Sequence, residues 1–264
     1  MQKLLITGGK KLSGEVVISG SKNASLPIII SSLLFDDPVQ FENVPKVKDI
    51  YTLINLIKVL GREVEFDENK EILKISKKNK DKYFAPYSIM KTMRAGVLVL
   101  APLLAKFGKA KVSLPGGCSI GARPVNLHLD ALKKLGAKIN VKNGYIDASA
   151  PKGLLGANIK FSSISVGATE SIIIAAVLAK GITKISNAAV EPEIIDLIKF
   201  LNKCGADIKY NSKRKIIIRG VNFLYPIKHK IISDRIEAGT YAIDRKSTRL
   251  NSSHVALSRM PSSA

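Results

Sequence analysis

The most chemically suggestive stretch of this 264-residue sequence is Leu-Pro-Gly-Gly-Cys at 114–118, followed by Ser-Ile-Gly-Ala-Arg-Pro at 119–124. It sets one of only two cysteines, Cys118, in a glycine run, with Arg123 five residues on. Glycines lose more backbone freedom on folding than other residues and offer nothing to pack. A cluster of them suits a loop that moves or approaches a ligand closely. A thiol on such a loop, beside cationic groups, suits acid or nucleophile chemistry. The alternative is a small apolar cysteine in a tight turn. The second cysteine, Cys204, sits near the end of a helical pattern and reads as packing.

Three stretches share one pattern and would position that loop. Val39 to Val64, Ala110 to Ile139 and Ile182 to Ile208 each read as a strand, a polar turn, a helix of 3.6-residue period, a glycine and a second strand. Gly61, Gly136 and Gly205 stand just past each helix, where a left-handed residue ends the turn. They are 75 and 69 residues apart, too long for a solenoid repeat but suited to a supersecondary unit used three times.

A second helix precedes the pattern in each unit: Ser21 to Leu34, Lys91 to Ala105 and Ser165 to Ala179. These are apolar nearly all round after the first turn and should be buried. Their polar residues crowd the N-terminal ends. There Lys22, Asn23, Arg94, Ser165 and Thr169 stand where free N–H groups and the helix dipole favour anions. One such end alone would be a cap or a solvated start. Three in a threefold repeat, two with a cation, favour a shared anion site. The element order implies an α/β fold with helices inside and sheets outside, one domain over about 22–232.

Hydrophobic residues make up 46% of the chain, enough for one large domain or two small ones. Two cysteines give no disulfide framework and fit a reducing compartment. The N-terminal apolar stretch is too short for a signal peptide, and no apolar run approaches a membrane span. The reading is therefore cytoplasmic, with no membrane partner. The formal charge of +21 would suit a polyanion, but lysines are spread along the whole chain and tryptophan is absent. No basic helix appears, which argues against nucleic acid and leaves anionic small substrates compatible. The three histidines and two cysteines lack metal-ligand spacing, and no dinucleotide fingerprint follows a strand. No metal and no cofactor are expected.

From Asp244 the composition changes. Residues 244–264 hold no isoleucine, six serines, three of the nine arginines and one lysine. Asp244 to His254 also matches the in-frame translation of a common sequencing-adapter oligonucleotide. The expectation is that the native reading ends near Ile243 and that 244–264 is a non-native tail. Leaving out its four basic residues and one acid gives +18 for residues 1–243.

With these pieces placed, the chain resembles the UDP-N-acetylglucosamine 1-carboxyvinyltransferases, the enolpyruvyl transferases of peptidoglycan synthesis. The strings that carry the resemblance are GSKNASLP at 20–27, APYSIMKTMRAG at 85–96 and SLPGGCSIGARPVNLHLDALKKLGA at 113–137, then SVGATESIIIAA at 165–176, NAAVEPEIIDL at 187–197 and DRIEAGT at 234–240. The resemblance implies an inside-out α/β barrel of the enolpyruvyl transferase type, a threefold repeat with helices buried inside sheets. It implies a cytoplasmic monomer acting on phosphoenolpyruvate and UDP-N-acetylglucosamine. The enolpyruvyl group would pass to the 3′-hydroxyl with release of phosphate. A related enzyme that makes 5-enolpyruvylshikimate 3-phosphate shares the fold but lacks the cysteine loop. The other alternative is a non-catalytic module that binds UDP or anions.

The resemblance assigns roles residue by residue. Cys118 would protonate the methylene carbon of phosphoenolpyruvate, and its thiolate can also trap that substrate or fosfomycin. Lys22, Arg94 and Arg123 would hold phosphate or carboxylate and offset the charge of the tetrahedral intermediate. Asn23 would position both substrates. Arg123, Pro124, Val125, Asn126 and Leu127, with Ser163, Ile164, Ser165 and Val166, would bind the UDP-sugar. Backbone N–H groups near Ser165 and Gly167 would face the diphosphate. Asn126 stands where the family usually has aspartate, and Ser163 where many members have lysine. His128 is expected to be structural, with contact to substrate or loop as the alternative. His229 and Asp234 read as structural.

The family has a second domain of the same kind. By that pattern residues 1–21 supply a strand to the second domain, 22–232 form the first domain, and 233–243 begin the second. The second domain would bring the aspartate base and further arginines, so the chain as written is expected to be inactive. Residues 3–14 and 233–243 are expected to be poorly packed.

Overall fold

The computed structural model describes residues 5, 14–78, 80, 82–116 and 125–247, with side chains described as far as Ile243. The repeat appears as three four-stranded sheets. In the first unit β1 (Val39–Glu42), α2 (Lys48–Val59) and β2 (Arg62–Asp67) follow the expected order, and β3 (Ile72–Lys77) inserts between β1 and β2. The second unit repeats this with β5 (Lys109–Ser113), α5 (Asn126–Lys134), β6 (Lys138–Lys142) and β7 (Tyr145–Ser149). The third does so with β9 (Ile182–Ser186), α7 (Pro192–Lys203), β10 (Asp207–Asn211) and β11 (Lys215–Arg219). Gly61, Gly136 and Gly205 have φ of 98°, 92° and 97°, so each takes the left-handed position the helix end requires.

Each sheet gains a fourth, parallel edge strand that the sequence pattern did not show. Here β4 (Phe84–Ala85) pairs with β5 and β8 (Asn158–Lys160) with β9, each from just upstream. Among the described residues the first sheet has no upstream strand. Its edge is β12 (Lys228–Lys230), which returns from the far end of the domain to pair with β1, with Phe41 opposite His229. The last strand thereby ties the far end of the domain to the first sheet.

Two asparagines show how deep the repetition runs. Asn43 and Asn187 follow β1 and β9 with φ of 58° each, a left-handed conformation that asparagine tolerates. Each donates its side-chain amide to the end of the parallel edge strand, at Ile231 O (2.9 Å) and Phe161 O (3.1 Å). The equivalent residue in the second unit is Ser113, since Val44, Leu114 and Ala188 donate to matching hairpin carbonyls at Glu71, Gly144 and Arg214. Symmetry breaks at Ser113, and the chain runs on from there into the cysteine-bearing segment.

Three helical segments form the interior. They are α1 (Lys22–Ser31), a 3-10 turn over Arg94–Val99 that leads into α4 (Leu100–Phe107), and α6 (Val166–Ala176). Nearly all their residues beyond the first turn are buried, Ile28, Ile29, Ile30, Leu103, Ile172 and Ile173 among them. The sheets lie outside: on β11, Ile216 and Ile218 are buried while Lys215, Ile217 and Arg219 face solvent. This is the inside-out α/β arrangement the resemblance implies.

The middle helix differs from expectation. The sequence suggests a helix from Lys91, but Lys91 and Thr92 end a separate short helix, α3 (Tyr87–Met90), and donate back to Tyr87 O and Ile89 O. Those N–H groups are therefore used up. The inner segment starts at Arg94, and Gly96 lets it press on Met90, whose Sδ a Cβ at Gly96 would meet at 2.6 Å.

At the C-terminal end, α8 (Arg235–Ser247) runs past the break in composition at Asp244. Ile236, Tyr241 and Ile243 on it are exposed. It is tethered at its start: the Asp234 carboxylate accepts from Ile236 N (2.8 Å), Glu237 accepts from Ser19 N (3.0 Å), and Gly20 bridges Ser233. Residues 3–14, apart from Leu5 and Gly14, lie outside the described residues. No helix among the described residues is long and apolar enough to cross a membrane.

Candidate functional site

Cys118, Arg123 and Pro124 lie outside the described residues. What is described is the frame around them: Leu114 to Gly116 on one side, Val125 and α5 on the other. Gly116 packs so closely on the chain that a Cβ there would stand 2.2 Å from Lys91 O, so only glycine fits at this end of the loop.

The structure brings Arg94, the first turn of α5 and the first turn of α6 together, with His128 at their junction. His128 follows Asn126 and Leu127 on α5. A Cβ added at Gly167 on α6 would lie 3.1 Å from its Cε1 and 3.2 Å from its Nε2. Burial, then the positive charge of Arg94, pushes the imidazole pKa down to about 4. The ring is therefore neutral at physiological pH. Asn126, Ser163, Ile164 and Val166 are exposed, while Val125, Leu127, Ser165 and Gly167 are half-buried.

Two of the polar side chains at the start of α6 are committed to structure. Ser165 caps α6, its hydroxyl oxygen accepting from Ala168 N at 3.2 Å. Thr169 is wholly buried. Its hydroxyl donates to Ser165 O (2.7 Å) and accepts from Ala189 N (3.0 Å), so it is not available to a ligand. At α1, Ser21 caps the helix through Ala24 N, and Lys22 pairs with Asp49 at 3.0 Å while both stay substantially exposed. An ion pair this open to water is weak, and an arriving anion can compete for the ammonium. Asn23 is exposed beside it.

Glu170 is the feature the sequence reading missed. It sits in the second turn of α6, buried, where burial first and the carboxylates of Glu193 and Glu191 next push its pKa up to about 8. Its neutral form leaves the positive end of the α6 dipole uncancelled. Glu193 keeps its charge partner in Arg235, whose Nε donates to Oε1 at 2.9 Å. The available signal was one carboxylate inside the run SVGATESIIIAA.

This buried acid has a pH signature. Its folded pKa lies above the unfolded value, so the folded state holds the proton longer. Stability then falls as pH rises from about 4.5 to about 8. Glu170→Gln removes the cost of keeping the group neutral. Thermal unfolding should show a gain of about 4 °C or more at pH 8 and little gain at pH 5. Equal gains at both pH values would remove the basis for a protonated Glu170.

The nested helices within three sheets define a class of protein. Enolpyruvyl transferase NikO from Streptomyces tendae has this fold, with a TM-score of 0.75 at 22% identity, covering 89% of this chain and 55% of that one. EPSP synthase from Acinetobacter baumannii gives 0.70 at 17% identity, covering 87% and 52%. The chain belongs to the EPSP synthase (3-phosphoshikimate 1-carboxyvinyltransferase) family, whose sequence profile matches residues 6–244. Among curated relatives, UDP-N-acetylglucosamine 1-carboxyvinyltransferase of Pelagibacter ubique is 58% identical over 243 residues, 92% of this chain and 58% of that protein. The enzymes of that name from Geotalea uraniireducens and Endomicrobium trichonymphae are 54% and 51% identical over the same share of each chain. The chain thus spans 58% of the length of these curated relatives.

Proposed function

We propose that this chain carries the cysteine-bearing domain of a UDP-N-acetylglucosamine 1-carboxyvinyltransferase. The whole enzyme, with its second domain, would move the enolpyruvyl group of phosphoenolpyruvate to the 3′-hydroxyl of UDP-N-acetylglucosamine and release phosphate, a step of peptidoglycan synthesis in the cytoplasm. The observation that carries this reading is the contact between the first turns of α5 and α6, His128 against Gly167, within reach of the Arg94 charge. The 58% identity to the Pelagibacter ubique enzyme supports it. The substrates are both anions, and the +21 chain draws anions toward it.

In this reading the amides that open α6 near Ser165 and Gly167 receive the diphosphate. Residues 123–127 and 163–166 hold the nucleotide and sugar. Lys22, Arg94 and Arg123 bind the phosphate and carboxylate of phosphoenolpyruvate. Cys118 gives its Sγ proton to the methylene carbon as the sugar hydroxyl adds to the neighbouring carbon and passes its own proton to the aspartate base of the second domain. The cations offset charge in the adduct, and the new methyl group then gives up a proton as the bond to phosphate breaks and the enolpyruvyl double bond re-forms. Asn23 helps align the two substrates.

Alkylation of the folded chain tests the reading and separates it from the shikimate alternative. Cys204 is wholly buried at the end of α7, and burial pushes its thiol up to about 12, so native labelling reports Cys118 alone. UDP-N-acetylglucosamine with phosphoenolpyruvate should slow that labelling severalfold, and shikimate 3-phosphate should not. Protection by shikimate 3-phosphate instead would transfer the assignment to the sister activity. Protection by neither would end it.

A further inference from the structure

His128 has no part in the chemistry above, yet it stands where the pieces of the site meet. Its ring edge rests on the first turn of α6, where a Cβ at Gly167 would stand only 3.1 Å from it, tighter than ordinary contact. Its Nδ1 is buried and makes no hydrogen bond among the described residues. A buried polar atom left so carries the uncompensated cost of its lost hydration. A leucine or phenylalanine would fill the same space without that penalty. Arg94 lies near enough for its charge to act on the ring, which carries no charge of its own at neutral pH. The side chain thus contributes shape and a polar edge rather than a second cation.

We propose that His128 is a positioning residue for the UDP-sugar: its ring, braced on Gly167 beside Arg94, sets how the α6 amides stand relative to that guanidinium. The inference rests on the reading given under Proposed function. It makes the glycine at 167 and the histidine at 128 a matched pair. A methyl at 167 would press the ring or the helix turn aside by a few tenths of an ångström, and the amides that face the diphosphate move with the turn.

Titration calorimetry of the full 264-residue chain with UDP-N-acetylglucosamine tests it, with thermal unfolding run on every variant. His128→Ala should weaken binding about tenfold while leaving a cooperative unfolding transition. His128→Gln, neutral and of similar reach, should recover most of that loss. Gly167→Ala should weaken binding by at least as much as His128→Ala. The double variant should bind better than Gly167→Ala alone, because the removed ring gives the methyl room. Unchanged affinity in His128→Ala overturns the proposal, as does simple additivity in the double variant. If His128→Ala fails to fold, His128→Gln and the Gly167 pair decide on the same terms. If the unsubstituted chain does not bind the UDP-sugar, the functional reading falls first and this inference with it.

Discussion

Phe200→Ala is expected to lower the unfolding free energy by about 3–5 kcal/mol. Phe200 lies on α7 of the third unit, wholly buried, but its partners belong to the first. Its ring meets Phe41 of β1 edge-on at 5.5 Å and Phe35 at 6.0 Å, and it tilts against His229 of β12 at 5.2 Å. These aromatic contacts add to the area each ring buries. They lie on the seam where the last strand returns to the first sheet, a place with no covalent neighbour to hold it. Truncation leaves a cavity there that the sheet cannot collapse into. Urea denaturation of Phe200→Ala against the unsubstituted chain measures the loss. Ile217→Ala, on the solvent face of β11, should change stability by less than about 0.5 kcal/mol. A Phe200→Ala loss below about 1 kcal/mol would show that the seam is not a main support.

Asp196→Ala should be nearly as damaging, at about 3 kcal/mol. The Asp196 carboxylate is buried on α7 and holds two groups of the closing segment: His229 Nε2 at 3.1 Å and the backbone N–H of Ile232 at 3.2 Å. Alanine leaves both without a partner in an apolar seam, and the penalty is the desolvation of those orphans rather than the net value of the bonds. Asp196→Asn keeps an acceptor for one of the two and should lose less. Because Asp196 and Phe200 both touch His229, their effects should not add. A double-mutant cycle should give a coupling of about 1 kcal/mol. Full additivity in that cycle would mean that strand β12 is held by independent contacts.

Much of this arrangement was legible as sequence because it rests on local rules. The helix-ending glycines at 61, 136 and 205 announce themselves through the one backbone conformation that a Cβ disfavours. The alternation on β9 and the 3.6-residue pattern on α7 follow from which side faces water. The apolar strings of α1 and α6 could only be interior helices. The candidate site was legible for the same reason at the helix starts, where Lys22, Arg94 and Ser165 stand. Lys91 misled because its N–H was already claimed by α3, a competition between neighbouring turns that spacing does not show. Thr169 misled because its hydroxyl is spent on Ala189, a residue twenty positions away.

What the sequence by itself determined, then, was the unit: strand, helix, glycine, strand, with a buried helix ahead of it. Each of those features is set by contacts within a few residues, so the pattern of side chains contains them. Tertiary structure alone decided how the three units join. The edge strand β12 has only three residues and takes its meaning from β1, almost two hundred positions earlier. The same holds for His128 against Gly167 and for Glu170 beside Glu193. Their protonation and packing depend on what burial brings next to them, and desolvation is a property of the assembled interior rather than of any stretch of chain.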